Sequence, residues 1–184
     1  MNALFGDRQD WDDFAVRCLL NENYGRTQER TPANILKFLR DNSGITGGRL
    51  LDCGCNIGRW CDYFSKNGFE CVGVDASLVA ITIAKNIHGH MHFINDFIWN
   101  VNFENEFDVA ISITALQHNF KEEQVRCLQA IKKALKPMGL FLMIEETGNV
   151  DGGTTHTKEG WIDLIFENTG KSLIANYFNW YLFK

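Results

Sequence analysis

Residues 50–60 read LLDCGCNIGRW: the apolar end of a strand, an acid at its tip, then a short turn carrying Gly54, Asn56 and Gly58. Glycine, and to a lesser degree asparagine, accept positive φ, so this spacing predicts a tight strand-to-helix turn. In open α/β sheets ligands bind at the carboxyl ends of the strands, where the strand order reverses. Asp52 reads as the last residue of its strand, with its carboxylate facing that crevice. Two like charges a few ångströms apart in a partly dry site repel by roughly several kcal/mol, which makes a pyrophosphate a poor neighbour and a cationic ligand a good one. The dinucleotide fingerprint G-x-G-x-x-G is also missing, because Asn56 replaces the middle glycine and one residue separates it from Gly58.

Outward from this turn, short apolar runs alternate with helix-length segments: RLLDC, the helix around RWCDYFSKN, ECVGVD, SLVAITIAKN, HFIND, FDVAISIT, KEEQVRCLQAIKKALK and LFLMIEE. Runs apolar on both faces argue a parallel sheet covered by helices on each side. KSLIANYFNWYLFK reads as two further strands about a turn at 176–179. The expected fold is therefore α/β, a doubly wound, mostly parallel, seven-stranded Rossmann-like sheet. The helix after LQHN is expected to carry a capping box of Asn119 and Glu122, to hold Lys132, Lys133 and Lys136 in its last turn, and to stop at Pro137 and Gly139.

Residues 49–184 form this core, and residues 1–48 are expected to be a helical lid on one structural domain. Trp11, Phe14, Ala15, Cys18 and Leu19 mark the apolar stripe of a first helix. Thr31 as N-cap and Pro32 at the first helical position open a second.

A chain of 184 residues with 45% hydrophobic and 22% charged residues suits one globular domain. Its net charge of −5 and lack of a Lys/Arg block give no footprint for a phosphate backbone, which sets nucleic acid aside. No apolar run spans a bilayer and MNALFGDRQDWDD lacks a secretion pattern, so a cytoplasmic protein without a membrane segment is expected. The six cysteines read as reduced. CGC and HGHMH lack the paired spacing of a zinc site, and no metal is expected. Oligomeric state has no signal in the sequence.

With Asp52, Gly54, Asn56 and Gly58 in place, the turn resembles the first motif of class I S-adenosylmethionine-dependent methyltransferases, Asp-x-Gly-x-Gly-x-Gly, with Asn56 in place of one glycine. VGVDAS with Asp75 (23 residues after Asp52), FINDF with Asp96, and LKPMGLFLMIEE follow in the family's order, with Met138 where a glycine is usual. The resemblance covers most of residues 49–147 and implies S-adenosylmethionine as cofactor, whose sulfonium and ammonium suit an acid at the strand end. It further implies that Asp52, Gly54, Cys55, Asn56, Gly58 and Arg59 surround the cofactor, with Asp75 accepting the ribose hydroxyls and Ala76 beside it. Asp96 would take the adenine amino group, Phe97 would offer its backbone N–H, and Thr114 would border the site from the fourth strand. Read from the residues alone, Asp75 and Asp96 equally suit caps of the turns after their strands. The cofactor carboxylate falls either to Arg59 or to Tyr24 and Arg26.

Methyl transfer is an in-line displacement, so the protein aligns the acceptor and removes its proton where needed. The acceptor is expected over SITALQHNF, where His118 is a candidate base with an ordinary pKa near 6.5. In the family a similar Leu-x-His is also used to tie a loop to the backbone, and both roles stay open. Glu145 or Glu146 should face the same crevice, since strand side chains alternate, and Glu145 is the second catalytic candidate. His156 is placed to reach over the acceptor from its loop. The family's Asn/Asp-Pro-Pro-Tyr clamp and a proline-adjacent cysteine are both missing, which leaves an O, N or S atom of a small-molecule acceptor. The alternatives are a non-catalytic methyltransferase-like binding module, a protein or RNA acceptor, or a dinucleotide oxidoreductase, the last disfavoured by Asp52.

Overall fold

The computed structural model describes residues 8–21, 31–147 and 155–184. Five strands, β1 (Gly48–Cys53), β2 (Phe69–Asp75), β3 (His92–Asn95), β4 (Phe107–Ile113) and β5 (Leu135–Ile144), pair in parallel. A hairpin of β6 (Leu173–Tyr177) and β7 (Trp180–Phe183) adds antiparallel to β5 and completes the order β3-β2-β1-β4-β5-β7-β6. The chain leaves β1 on one side for β2 and β3 and crosses to the other side for β4. The switch point of the sheet thus lies between β1 and β4, beside Asp52 and the glycine turn.

The pleat divides the core in two. Leu50, Val109, Ile111 and Leu142 face α2 (Pro32–Ser43), α3 (Arg59–Ser65) and α4 (Leu78–Ile87), where Ile35, Leu39, Phe64 and Ile81 meet them. Leu51, Val72, Ala110 and Phe141 face α5 (Lys121–Ala134) and α6 (Lys158–Thr169), where Leu128, Ile131, Trp161 and Ile165 are buried. Each fully buried large apolar side chain contributes roughly 1.5–3 kcal/mol, so both layers are needed. α1 (Arg8–Leu20) lies apart from both: Ala15 and Cys18 pack with Ile57 of the turn and Ala80 of α4.

Several local expectations shift. Thr31 caps α2 by accepting the Asn34 N–H at 3.2 Å, and left-handed Gly44 (φ 74°) closes it. However, Ile35, Leu36 and Leu39 are at most 3% exposed, so α2 belongs to the core and, among the described residues of 1–48, α1 alone lies over the strand ends. Leu19 falls outside the apolar stripe and is 48% exposed. β1 continues one residue past Asp52. At α5 the capping carboxylate is Glu123, which accepts the Phe120 N–H at 3.0 Å, because the Asn119 amide is committed to the Ala115 and Leu116 carbonyls. α5 ends at Ala134, so Lys136 lies in β5 and pairs with Asp108 at 2.8 Å. Pro137 and Gly139 sit inside β5 where its pairing with β4 slips. Among the described residues no helix is long and apolar enough to cross a membrane, and all six cysteines are free and buried.

Candidate cofactor and acceptor site

The turn after β1 needs three left-handed residues: Gly54 (φ 84°), Asn56 (φ 47°) and Gly58 (φ 79°). The Gly54 and Cys55 N–H groups both donate to the Val74 carbonyl, at 2.8 and 3.0 Å, which folds the turn back over β2. Asn56 offsets its unfavourable φ by accepting the Ile57 N–H on its own Oδ1 at 2.7 Å. A Cβ at Gly54 would stand 2.4 Å from Ala115 Cβ, and one at Gly58 would stand 2.6 Å from Phe93 Cζ. These glycines are required by conformation and by space together.

Asp75, the last residue of β2, stitches two turns: Oδ2 accepts the Asn56 N–H at 2.8 Å and Oδ1 the Ser77 N–H at 2.9 Å. Each oxygen retains a further lone pair for a hydroxyl. Burial raises its pKa above the usual carboxylate range, and the two N–H bonds pull it back. Asp52 is 1% exposed, so it does not look openly into the crevice but lies beneath the turn, where the Cys61 thiol donates to it at 3.4 Å. Burial pushes the Asp52 pKa to about 7; the thiol bond opposes this and the Asp75 charge adds to it. Burial is the main cause in both acids, with the Asp75 charge adding at Asp52 and the Asp12 charge adding at Asp75, so a nearby cation would favour ionising either one.

Around them, the Ala76 carbonyl accepts Asn95 Nδ2 at 3.0 Å, and the Cys55 thiol is buried at the root of the turn. Asp96 Oδ1 accepts both the Phe97 N–H (2.8 Å) and Asn100 Nδ2 (2.7 Å), so it closes the short turn Ile98–Asn100 and engages the N–H expected for adenine. The Phe97 ring stacks on Trp99 at 4.5 Å, and Arg126 lies 4.8 Å over the Trp99 ring. Arg59 points elsewhere than expected: its guanidinium donates to the Cys18 and Asn21 carbonyls at the end of α1, where a cation suits the helix dipole. Tyr24 and Arg26 lie outside the described residues.

On the acceptor side, Thr114 leaves β4 with φ 53°, its N–H held by the Ile144 carbonyl at 2.7 Å, and leads into the short turn Leu116–His118. His118 is half-buried, and its Nδ1 is buried without a hydrogen-bond partner. Burial alone lowers its pKa, so the imidazole is neutral near pH 7. Trp11 of α1 covers the ring edge-on, with centroids 4.8 Å apart. Glu145, expected to face the acceptor, is instead 0% exposed and accepts bonds from Ser112, Ala115, Leu116 and Gln117, which removes it from the reacting atoms. The Glu146 N–H donates to Gln117 Oε1 at 2.6 Å, and its carbonyl accepts the Trp161 Nε1–H at 3.1 Å. His156 packs on Trp161 and meets Gln124 Oε1 at 2.8 Å.

Residues that local pattern did not single out complete the site. Asp12 of α1 accepts the Ser77 hydroxyl and, at 3.4 Å, the Val79 N–H at the start of α4. With Trp11 on His118 and Arg59 on the far end, α1 is fastened across the ends of β1, β2 and β4. A Ser or Asp near a helix start is a recognisable signal, but its remote partner is not.

A family described as "Methyltransferase domain" matches residues 24–178. The chain belongs to this methyltransferase family. The fold agrees: a Leishmania major S-adenosylmethionine-dependent methyltransferase superposes with a TM-score of 0.79 at 15% identity, covering 100% of this chain and 87% of the other. A Burkholderia thailandensis 1,6-didemethyltoxoflavin N1-methyltransferase, solved with its acceptor and S-adenosylhomocysteine, gives 0.70 at 16% identity, covering 100% and 91%. Among curated relatives, a Rhodopseudomonas palustris ubiquinone biosynthesis O-methyltransferase is 26% identical over 105 residues, 55% of this chain and 41% of the relative. The match thus spans about two-fifths of that relative's length. The residues present fit S-adenosylmethionine as cofactor: the acids Asp52 and Asp75, both raised by burial, suit a cationic ligand, and a Cβ at Gly54 would close the turn.

Proposed function

We propose that this domain transfers the methyl group of S-adenosylmethionine to an O, N or S atom of a small-molecule acceptor that approaches over the end of β4. The observation that carries the acceptor side is the neutral, half-buried imidazole of His118 at the end of β4, whose Nε2 lies 3.4 Å from Gln117 Nε2, the expected state of a base ready to take a proton. The cofactor supplies an electrophilic methyl on a positive sulfur. Asp75 would hold hydroxyls with its remaining lone pairs, the buried acids Asp52 and Asp75 would favour a cation nearby, and Asp96 would border the base-binding end. Neutral His118 would take the acceptor's proton while the acceptor atom bonds the methyl carbon and the carbon–sulfur bond breaks, leaving S-adenosylhomocysteine. Trp11 must move aside for this, and an edge-on aromatic contact worth about 0.5–1.5 kcal/mol permits it. The O-methyltransferase name of the curated relatives favours oxygen among the three acceptor atoms.

A thermal shift with S-adenosylhomocysteine at about a hundred times its Kd should add roughly 2.7 kcal/mol, several degrees, while NAD should add none. Labelled methyl transfer to a panel of phenols, amines and thiols then identifies the acceptor atom, and H118A should lower turnover about 10²-fold or more at unchanged cofactor affinity. A response to NAD alone contradicts the cofactor assignment. Full turnover by H118A contradicts the base.

A further inference from the structure

β4 and β5 end side by side, and the chain leaves β4 through a β-branched residue in the left-handed region, Thr114 at φ 53°. Such a conformation costs of order 1–3 kcal/mol and persists only where its surroundings over-determine it. The surrounding group is the carboxylate of Glu145, one residue past the end of β5. Oε1 accepts the Ser112 hydroxyl at 2.8 Å and the Ala115 and Leu116 N–H groups at 3.2 and 3.0 Å, and Oε2 accepts the Gln117 N–H at 3.2 Å.

We propose that Glu145 is a positioning residue whose carboxylate holds the turn from Ser112 to Gln117 and so sets where the His118 imidazole stands. This rests on the reading of His118 as the acceptor-side base. All four partners can donate, so the site fits an ionised carboxylate, and charge-assisted bonds of this kind are about twice as strong as neutral ones. N–H groups at the start of a short helical turn have no partner within it, and a buried donor left unpaired costs about 1–3 kcal/mol.

The main chain at the same place makes a second set of ties. The Glu145 N–H donates to the Asn179 carbonyl of the β6–β7 turn at 3.3 Å, and the Glu146 N–H donates to Gln117 Oε1 at 2.6 Å. The carbonyls of the turn are taken as well: Asn119 Nδ2 donates to Ala115 and Leu116, and Gln124 Nε2 donates to Leu116 and Asn119. The strand ends, the turn and the hairpin therefore meet at Glu145. The His118 ring stands at that junction, its Nε2 3.4 Å from Gln117 Nε2 and its Nδ1 buried.

The test reads the imidazole directly. In the full chain saturated with S-adenosylhomocysteine, ¹⁵N-labelled histidine side chains are followed by NMR across pH in wild type, E145Q and E145D. Glutamine keeps the shape but turns an N–H toward donors. Aspartate keeps the charge one methylene short. Both variants should bind S-adenosylhomocysteine within about threefold of wild type, move the His118 resonances, and raise its titration midpoint by about 0.5 in pH as the ring loosens, with His88 unmoved. If E145Q does not fold, S112A removes one of the four donors and should shift His118 the same way by less. His118 resonances and midpoint unchanged in the folded variants overturn the proposal. Full turnover by H118A alongside a shifted His118 in E145Q would instead remove the base and leave the positioning intact.

Discussion

Asp52 and Glu145 stand at the carboxyl ends of β1 and β5, are 1% and 0% exposed, and are both pushed by burial to a pKa of about 7. Their partners differ sharply. Glu145 accepts four donors from a single turn, whereas the hydrogen-bond partner of Asp52 among the described residues is one thiol at 3.4 Å. A buried carboxylate that is fully hydrogen-bonded belongs to the architecture, and one that is left short belongs to a ligand, because native interiors rarely leave such groups unpaired without a use. The end of β1 therefore carries a buried acid short of donors, and the end of β4 an ordered turn bonded to Glu145 that leads into His118.

Replacing each acid should break or confirm this contrast. The largest effect is expected for Glu145→Ala, which leaves four donors without an acceptor and should cost about 3 kcal/mol or more in a urea melt. A melt equal to that of wild type would erase the contrast. Next comes Gly54→Ala, placed where the two halves touch: φ of 84° and a Cβ 2.4 Å from Ala115 Cβ should cost roughly 2–3 kcal/mol and weaken S-adenosylhomocysteine binding in calorimetry.

Asp52→Asn should behave in the opposite manner to Glu145→Ala. The ligand-free protein should be as stable as wild type or more so, while affinity for the cationic cofactor falls about tenfold, roughly 1.4 kcal/mol. A loss of stability without loss of affinity would put Asp52 in the same class as Glu145.

The last effect is a pH dependence, spread over several pH units. The Asp52 pKa is raised on folding from its ordinary 3.8 to about 7, so the folded state favours the protonated acid. Its contribution is complete below about pH 4 and is lost as pH rises through 7. The stability advantage of Asp52→Asn over wild type should therefore grow by roughly 1 kcal/mol per pH unit across that window. Cofactor affinity of wild type should rise over the same range, since a cation favours the ionised acid, and should stay flatter in the variant.

The position of Asp52 was visible in the sequence and its burial was not, while Glu145 was visible in the wrong role. Asp52 follows an apolar strand and precedes Gly54, Asn56 and Gly58, whose positive φ values are a local demand that residue type alone announces. Glu145 also ends a strand, but its donors lie 28 to 33 residues earlier in the chain, and no local pattern names them. The same distance in sequence hid the partners of Arg59, which lie 38 and 41 residues away in α1. Even the cap of α5 slipped by one residue because Asn119 had carbonyls to hold in a neighbouring turn.

The alternation of apolar runs, the turn glycines and the Thr31–Pro32 helix start were enough on their own to establish the strands, the order of helices and the place of the crevice, since each depends on neighbours a few residues apart. Which buried carboxylate was left short of donors and which was fully bonded was decided only when β4 and β5 ended side by side. Hydrogen-bond donors reach about 3 Å, and the folded sheet, not the chain, determines what lies within that distance.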